Sequence, residues 1–194
     1  PFYPSESQQR TIDSKFEQAY LMLGFPAPTP SDKQYAPLKV LCAILAGGMS
    51  ARLFQSLREE KGLAYEVGAF YPSRKHGSEF TLYIGLAPSR VSEALHEIRK
   101  QIDRLCSEPV SEEELSQAKR TIKGAYLLDH QTNSQRAHFL GWWEALGLTS
   151  EFDGEYPKTI EAVSADEVLI AAKETFSRPS VLVKTIPRPP QRNP

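Results

Sequence analysis

Apolar and aromatic positions crowd the stretch from Ser14 to Phe25 (Phe16, Tyr20, Leu21, Leu23, Phe25), and Gly24 with Pro26, Pro28 and Pro30 closes it. One strand followed by a stiff loop is predicted there. Tyr35, Leu38, Leu41, Cys42 and Leu45 then recur at helical spacing as far as Gly47 and Gly48, behind a capping-box pattern of Ser31 and Gln34. A second, short helix is predicted with Ser50 as its cap. Leu53, Phe54 and Leu57 share one face of it, and Lys61-Gly62 supplies a basic last turn and a terminating glycine. From Leu63 to Tyr71 and from Ser78 to Ala87 the pattern becomes strand-like, and the polar Pro72 to Gly77 segment reads as a hairpin loop. Apolar residues at three-and-four spacing predict helices over Ser89 to Cys106, Ser111 to about His130, and roughly Ser134 to Leu146. Ser111 with Glu114 and Ser164 with Glu167 are further capping boxes, the second opening a helix through Val168, Ala171, Ala172 and Phe176. A last strand spans Ser180 to Ile186, and the proline-rich stretch 187–194 reads as an extended, frayed tail. Of the neighbours Trp142 and Trp143, one should be buried and the other more exposed, since adjacent helical residues lie about 100° apart.

Helices and strands come in blocks rather than in strict alternation, which predicts an α+β fold: a two-layer sandwich, mainly antiparallel sheet with helices packed on one face. No internal repeat or composition shift marks a linker, so 1–194 reads as a single domain with its core over about 10–187. With 40% hydrophobic and 24% charged residues, the chain is too apolar for a disordered one. Lys and Arg number 23 against 24 Asp and Glu, so no overall basic field exists to hold nucleic acid. The longest mostly apolar stretch, Leu38 to Met49, is broken at Lys39 and is far short of the roughly 20 residues that cross a bilayer. The start at Pro1 lacks a basic and an apolar leader region, and the chain reads as a fragment whose native start lies elsewhere. Cys42 and Cys106 lack C-x-x-C spacing and read as buried thiols.

Local metal chemistry is not expected. A hydrolytic zinc site commonly uses two His at i, i+4 on a helix, and His76, His96, His130 and His138 include no such pair. His76 and Glu79 lie at a hairpin edge without a second His, and His130 and His138 read as surface or core-edge residues. Gly47-Gly48 carries no phosphate-loop pattern, and no Ser sits in a G-x-S-x-G elbow. The informative block runs from Ala46 to Val67. In it Arg58 ends a short helix and Tyr65 starts a strand seven residues on, with Gly62 turning the chain between them. A guanidinium fork and a phenol O–H suit a peptide carbonyl or the oxyanion formed when it is attacked. On spacing alone the structural alternative is favoured: Arg58 pairing with Glu59 or another surface acid, and Tyr65 a half-buried strand residue.

The same block, with its glycine pair, Met-Ser-x-Arg-Leu-Phe, Leu-Arg-Glu and Gly-Leu-Ala-Tyr in order, resembles the C-terminal, metal-free domain of the pitrilysin/insulinase family of zinc metallopeptidases. Gln18 to Pro28, Tyr35 to Ala46, Phe80 to Gly85 and Ser111 to Arg120 extend the resemblance over about residues 10–187. It implies a duplicated α+β architecture in which zinc and a general-base Glu belong to an absent N-terminal domain or partner chain. This chain would hold no cofactor or metal and would be inactive alone. The family's cross-domain Arg and Tyr fall on Arg58 and Tyr65, whose implied role is to orient the peptide carbonyl and stabilise the oxyanion. Where the processing peptidase's non-catalytic subunit has a long glycine-rich loop, this chain has only Gly47-Gly48-Met49, so the resemblance is to the bacterial protease type. The implied partners are the zinc-binding half and an unfolded peptide, and exposed apolar surface would let the isolated domain form a homodimer. A soluble protein of the bacterial periplasm or cytoplasm is expected. The alternative within the same fold is a non-catalytic scaffold or interaction subunit.

Overall fold

The computed structural model describes residues 3–188. Five strands form one sheet in the order β1-β5-β2-β4-β3: β1 (Gln8–Ser14), β2 (Ala19–Ala27), β3 (Ala64–Phe70), β4 (Ser78–Leu86) and β5 (Val181–Pro187). Only β1 and β5 run parallel; the other pairs are antiparallel. Six α-helices complete the fold: α1 (Tyr35–Ala46), α2 (Val91–Ser107), α3 (Glu112–Leu128), α4 (Asn133–Leu146), α5 (Phe152–Ala162) and α6 (Ala165–Phe176). The expected α+β architecture is therefore present.

Strand alternation decides which side of the sheet is covered. Leu21, Leu23 and Phe25 of β2 and Phe80, Leu82, Ile84 and Leu86 of β4 are buried together with Leu38, Leu41 and Leu45 of α1. Tyr20 and Met22, between them in sequence, stay exposed. Ser111 and Ser164 cap α3 and α6 as expected, each accepting from the N3 amide while Glu114 or Glu167 reaches back. Trp143 is 3% exposed and Trp142 39%, the split that helical periodicity requires.

Several local expectations change. The stretch Ser14 to Phe25 is not one strand: the chain bends after Ser14, and Phe16 lies in the connection, 70% exposed. The unexpected β1, Gln-Gln-Arg-Thr-Ile-Asp-Ser, carries no apolar alternation because it is an edge strand with both faces exposed. Ser31 does not cap α1; its hydroxyl contacts that of Thr29 at 3.0 Å, and Asp32 Oδ1 accepts from the Gln34 amide at 2.8 Å. Ser50 does not cap the next helix either. Its hydroxyl receives a hydrogen bond from Gln117, and Phe54–Glu60 adopts a π-helix rather than an ordinary α-helical turn.

Helix α5 is absent from the sequence reading because Gly154 and Pro157 fall inside it. Pro157 cannot donate to the Asp153 carbonyl one turn back. That carbonyl instead accepts from the Tyr126 hydroxyl at 3.1 Å, so the orphaned acceptor is satisfied from α3. The tail beyond Arg188 lies outside the described residues.

Candidate functional site

Backbone geometry after α1 funnels the chain into one short segment. Gly47 admits no side chain, since a Cβ there would lie 2.4 Å from the Ala43 carbonyl oxygen, and Gly48 adopts φ +126°. The π-helix that follows is seated by Leu53 and Leu57, both buried, and its front is fixed by Arg52, which donates to both oxygens of Glu114 at 2.6 and 2.9 Å. At its far end the Leu63 amide donates to the Leu57 carbonyl at 2.7 Å, and Gly62 turns the chain at φ +58°. Arg58 sits in the last turn of this segment.

Strand β3 then begins with an irregularity. Ala64 pairs with Leu86 and Glu66 with Gly85, leaving Tyr65 as the extra residue of a β-bulge. Without it, alternation would send either Tyr65 or Glu66 to the covered face; with it, both are exposed and Val67 returns opposite Ile84. Tyr65 is 59% exposed, on the open edge strand of the sheet. Arg58 Nη1 donates to the Tyr65 carbonyl at 3.3 Å, and its guanidinium lies 5.1 Å from the centre of the Phe54 ring.

The Arg58 side chain thus meets the backbone of Tyr65, so the two residues singled out in the sequence are neighbours. Among the described residues Arg58 forms no ion pair, with Glu59 or any other acid, and the Tyr65 hydroxyl takes no hydrogen bond. Tyr65 is exposed rather than half-buried. Beside them the Tyr20 ring lies across Gly85, where a Cβ would approach within 2.9 Å of it, and Tyr20 donates to Glu66 at 3.0 Å. That hydrogen bond, with lesser contributions from burial and from the Glu66 and Tyr83 charges, raises the Tyr20 phenol above its ordinary range.

Sequence reasoning missed the residues that hold this segment: Arg52 with Glu114, and Ser56 with Glu97. A signal for the second was present, because Glu97 falls, with Gln101, on the buried stripe of α2 that also carries Ala94, Ile98, Ile102 and Leu105. A charge at such a position calls for partners.

Among the described residues no group of three His, Cys, Asp or Glu side chains could hold a metal ion. His76, His96 and His138 are exposed, Glu79 pairs with Arg74 at 2.7 Å, and His130 packs against Tyr126 and Phe139 while its Nε2 lies 3.0 Å from Asp153. Cys42 and Cys106 are free thiols, and burial pushes Cys42 up to about 11, against a smaller lowering by Lys39. Among the described residues no helix is long and apolar enough to cross a membrane.

Residues 2–122, which include α1, the π-helix and the β3–β4 hairpin, match the Peptidase M16 inactive domain family. The chain belongs to this family. Curated relatives of this M16 domain are named as uncharacterized zinc proteases: one from Streptomyces coelicolor is 29% identical over 178 residues, covering 89% of this chain and 38% of that protein. One from Bacillus subtilis is 28% identical over 181 residues, covering 93% of this chain and 44% of the relative. The chain therefore spans less than half the length of these proteins. Among solved structures, the peptidase M16 inactive domain from Pseudomonas fluorescens superposes with a TM-score of 0.85 at 20% identity, over 96% of this chain and 45% of that one. A protease from Helicobacter pylori gives 0.82 at 17% identity, over 94% and 44%. These structures share the fold of this M16 domain.

Proposed function

We propose that this M16 domain is the substrate-binding, metal-free half of a zinc-dependent endopeptidase or oligopeptidase acting on unfolded peptides. The zinc and the general base would come from another domain or chain. The observation that carries the reading is that Arg58 and Tyr65 are neighbours through a backbone contact, with the guanidinium free of any acid and the phenol hydroxyl free of any partner among the described residues, the phenol standing on an exposed bulge. Hydrogen-bonding capacity left unused at a well-anchored position suits a ligand carbonyl. In this reading the guanidinium orients the peptide carbonyl, and the Tyr65 hydroxyl donates to the same oxygen as negative charge builds on it. The names of the curated relatives support a protease context.

The test is hydrolysis of an unstructured peptide by the domain alone and by the full-length protein, each with added zinc. Activity confined to the full-length protein, and lost in its Arg58→Ala variant at unchanged zinc content, is expected. A full-length protein that binds no zinc and cleaves nothing would leave a scaffold of the same fold as the reading.

A further inference from the structure

The acidic side chain most deeply buried in the helical layer is Glu97 on α2, 3% exposed, and its contacts converge on one place. Its Oε1 accepts from Ser56 Oγ at 2.6 Å and from Gln101 Nε2 at 2.8 Å, and its Oε2 lies 3.4 Å from Lys61 Nζ. Ser56 precedes Arg58 by two residues and Lys61 follows it by three. One carboxylate therefore grips the chain on both sides of Arg58, from a helix remote in sequence. Burial alone would raise the Glu97 carboxyl; the hydrogen bonds from Ser56, Gln101 and Lys61, with the Lys100 charge, outweigh it and hold it below the usual carboxylate range.

Such a carboxylate is an expensive way to add stability, since a well-packed apolar side chain in its place often does as well. What it supplies instead is a fixed register. The π-helix has one residue more per turn than an α-helix and is commonly found at functional sites. Ser56 and Lys61 are the points at which that wider turn is pinned. The Arg58 guanidinium depends on it, because its contacts, the Tyr65 carbonyl and the Phe54 ring, are otherwise exposed and weak.

We infer that Glu97 is a positioning residue for Arg58, holding the π-helix through Ser56 and Lys61 so that the guanidinium stands beside Tyr65. The inference rests on the function proposed above and goes further, assigning to α2 a role in turnover exerted through Arg58.

The experiment uses the full-length protein with wild-type, Glu97→Gln, Arg58→Ala and double-variant forms, measuring kcat, KM, zinc content and Tm. Glu97→Gln keeps an acceptor for Ser56 and loses the charge facing Lys61. It should lower kcat about ten-fold with KM within about two-fold, the scale expected for a catalytic group misplaced by a fraction of an ångström. In the double variant kcat should match that of Arg58→Ala alone, because Glu97 has nothing left to position. A merely structural role would lower Tm and multiply the two losses. Should Glu97→Gln fail to fold, Lys61→Met breaks the exposed end of the same grip, and a roughly three-fold loss of kcat that vanishes in the Arg58→Ala background is expected. Wild-type kcat in both Glu97→Gln and Lys61→Met, or multiplying losses, would overturn the inference while leaving Arg58 in place. Wild-type kcat in Arg58→Ala, or no hydrolysis by the full-length protein, would overturn the proposed function and this inference together.

Discussion

Two polar clusters in this domain use similar groups to opposite ends. Where α3, α4 and α5 meet, the Asp153 carboxylate accepts from the Tyr126 hydroxyl, from Trp143 Nε1 at 3.0 Å and from His130 Nε2 at 3.0 Å. Aromatic rings surround it, with Tyr126, Phe139, Trp143, Phe152 and Tyr156 in tilted and edge-on contact. At the β3 edge, Arg58 and Tyr65 touch one another through a single 3.3 Å contact and leave their other donors to solvent. The first cluster spends its donors on one carboxylate oxygen, Asp153 Oδ1, and ties three helices together. The second is anchored from behind, by Glu97 and Glu114, and faces solvent in front. Aromatic and charged residues occur in both, and what separates the two is that the Arg58 and Tyr65 side chains face solvent while the donors around Asp153 are turned inward.

That contrast can be broken by substitution. The largest effect is expected from Arg58→Ala, which should lower kcat of the full-length protein at least 100-fold, as loss of an oxyanion donor does elsewhere. Its Tm should stay within about 1 °C, because an exposed contact contributes little to stability. The mirror image is Asp153→Ala, which takes the carboxylate from Trp143 and His130 and leaves Tyr126 only the backbone carbonyl, and it should cost about 3 kcal/mol. A chain of this length then melts about 6–12 °C lower in calorimetry, with kcat of the folded fraction unchanged. Loss of both properties in either variant would erase the distinction between the clusters.

A pH series sharpens the same point. Burial raises the Asp153 carboxyl, yet the hydrogen bonds from Tyr126, His130 and Trp143 and the His130 charge more than offset this and lower it overall. A carboxyl depressed in the folded state contributes stability that is complete above the ordinary aspartate range and is lost as pH falls through the folded value. The stability difference between wild type and Asp153→Asn should accordingly be greatest near neutral pH and shrink in acid below that range, followed by urea unfolding at each pH. The smallest effect is expected at Gly62, where φ +58° disfavours a side chain: Gly62→Ala should cost about 1 kcal/mol and lower Tm by about 2–4 °C.

Much of this was legible before any coordinates. Capping boxes at Ser111 and Ser164 and the β3–β4 hairpin are local in sequence, and local rules find them, whereas Arg58 and Tyr65 are singled out by the family resemblance, spacing alone favouring the structural alternative. The features that escaped depend on partners far along the chain. Strand β1 is polar apart from Ile12 and is held by β5, some 170 residues away in register at Gln8 and Val181. Helix α5 tolerates Pro157 because Tyr126 serves the abandoned carbonyl. The π-helix looks like an α-helical turn until Glu97 is seen behind Ser56, and no residue type announces the bulge at Tyr65, which arises from pairing against Gly85 and Leu86.

The most direct test of the central claim is Tyr65→Phe in the full-length protein, which removes one hydroxyl and leaves the exposed ring and the bulge in place. With zinc content and Tm unchanged, the account predicts that kcat falls about 100-fold while KM changes less than about three-fold, the signature of a donor used only as charge develops on the substrate oxygen. Wild-type kcat with an intact zinc site would contradict it and return Tyr65 to an ordinary exposed edge residue.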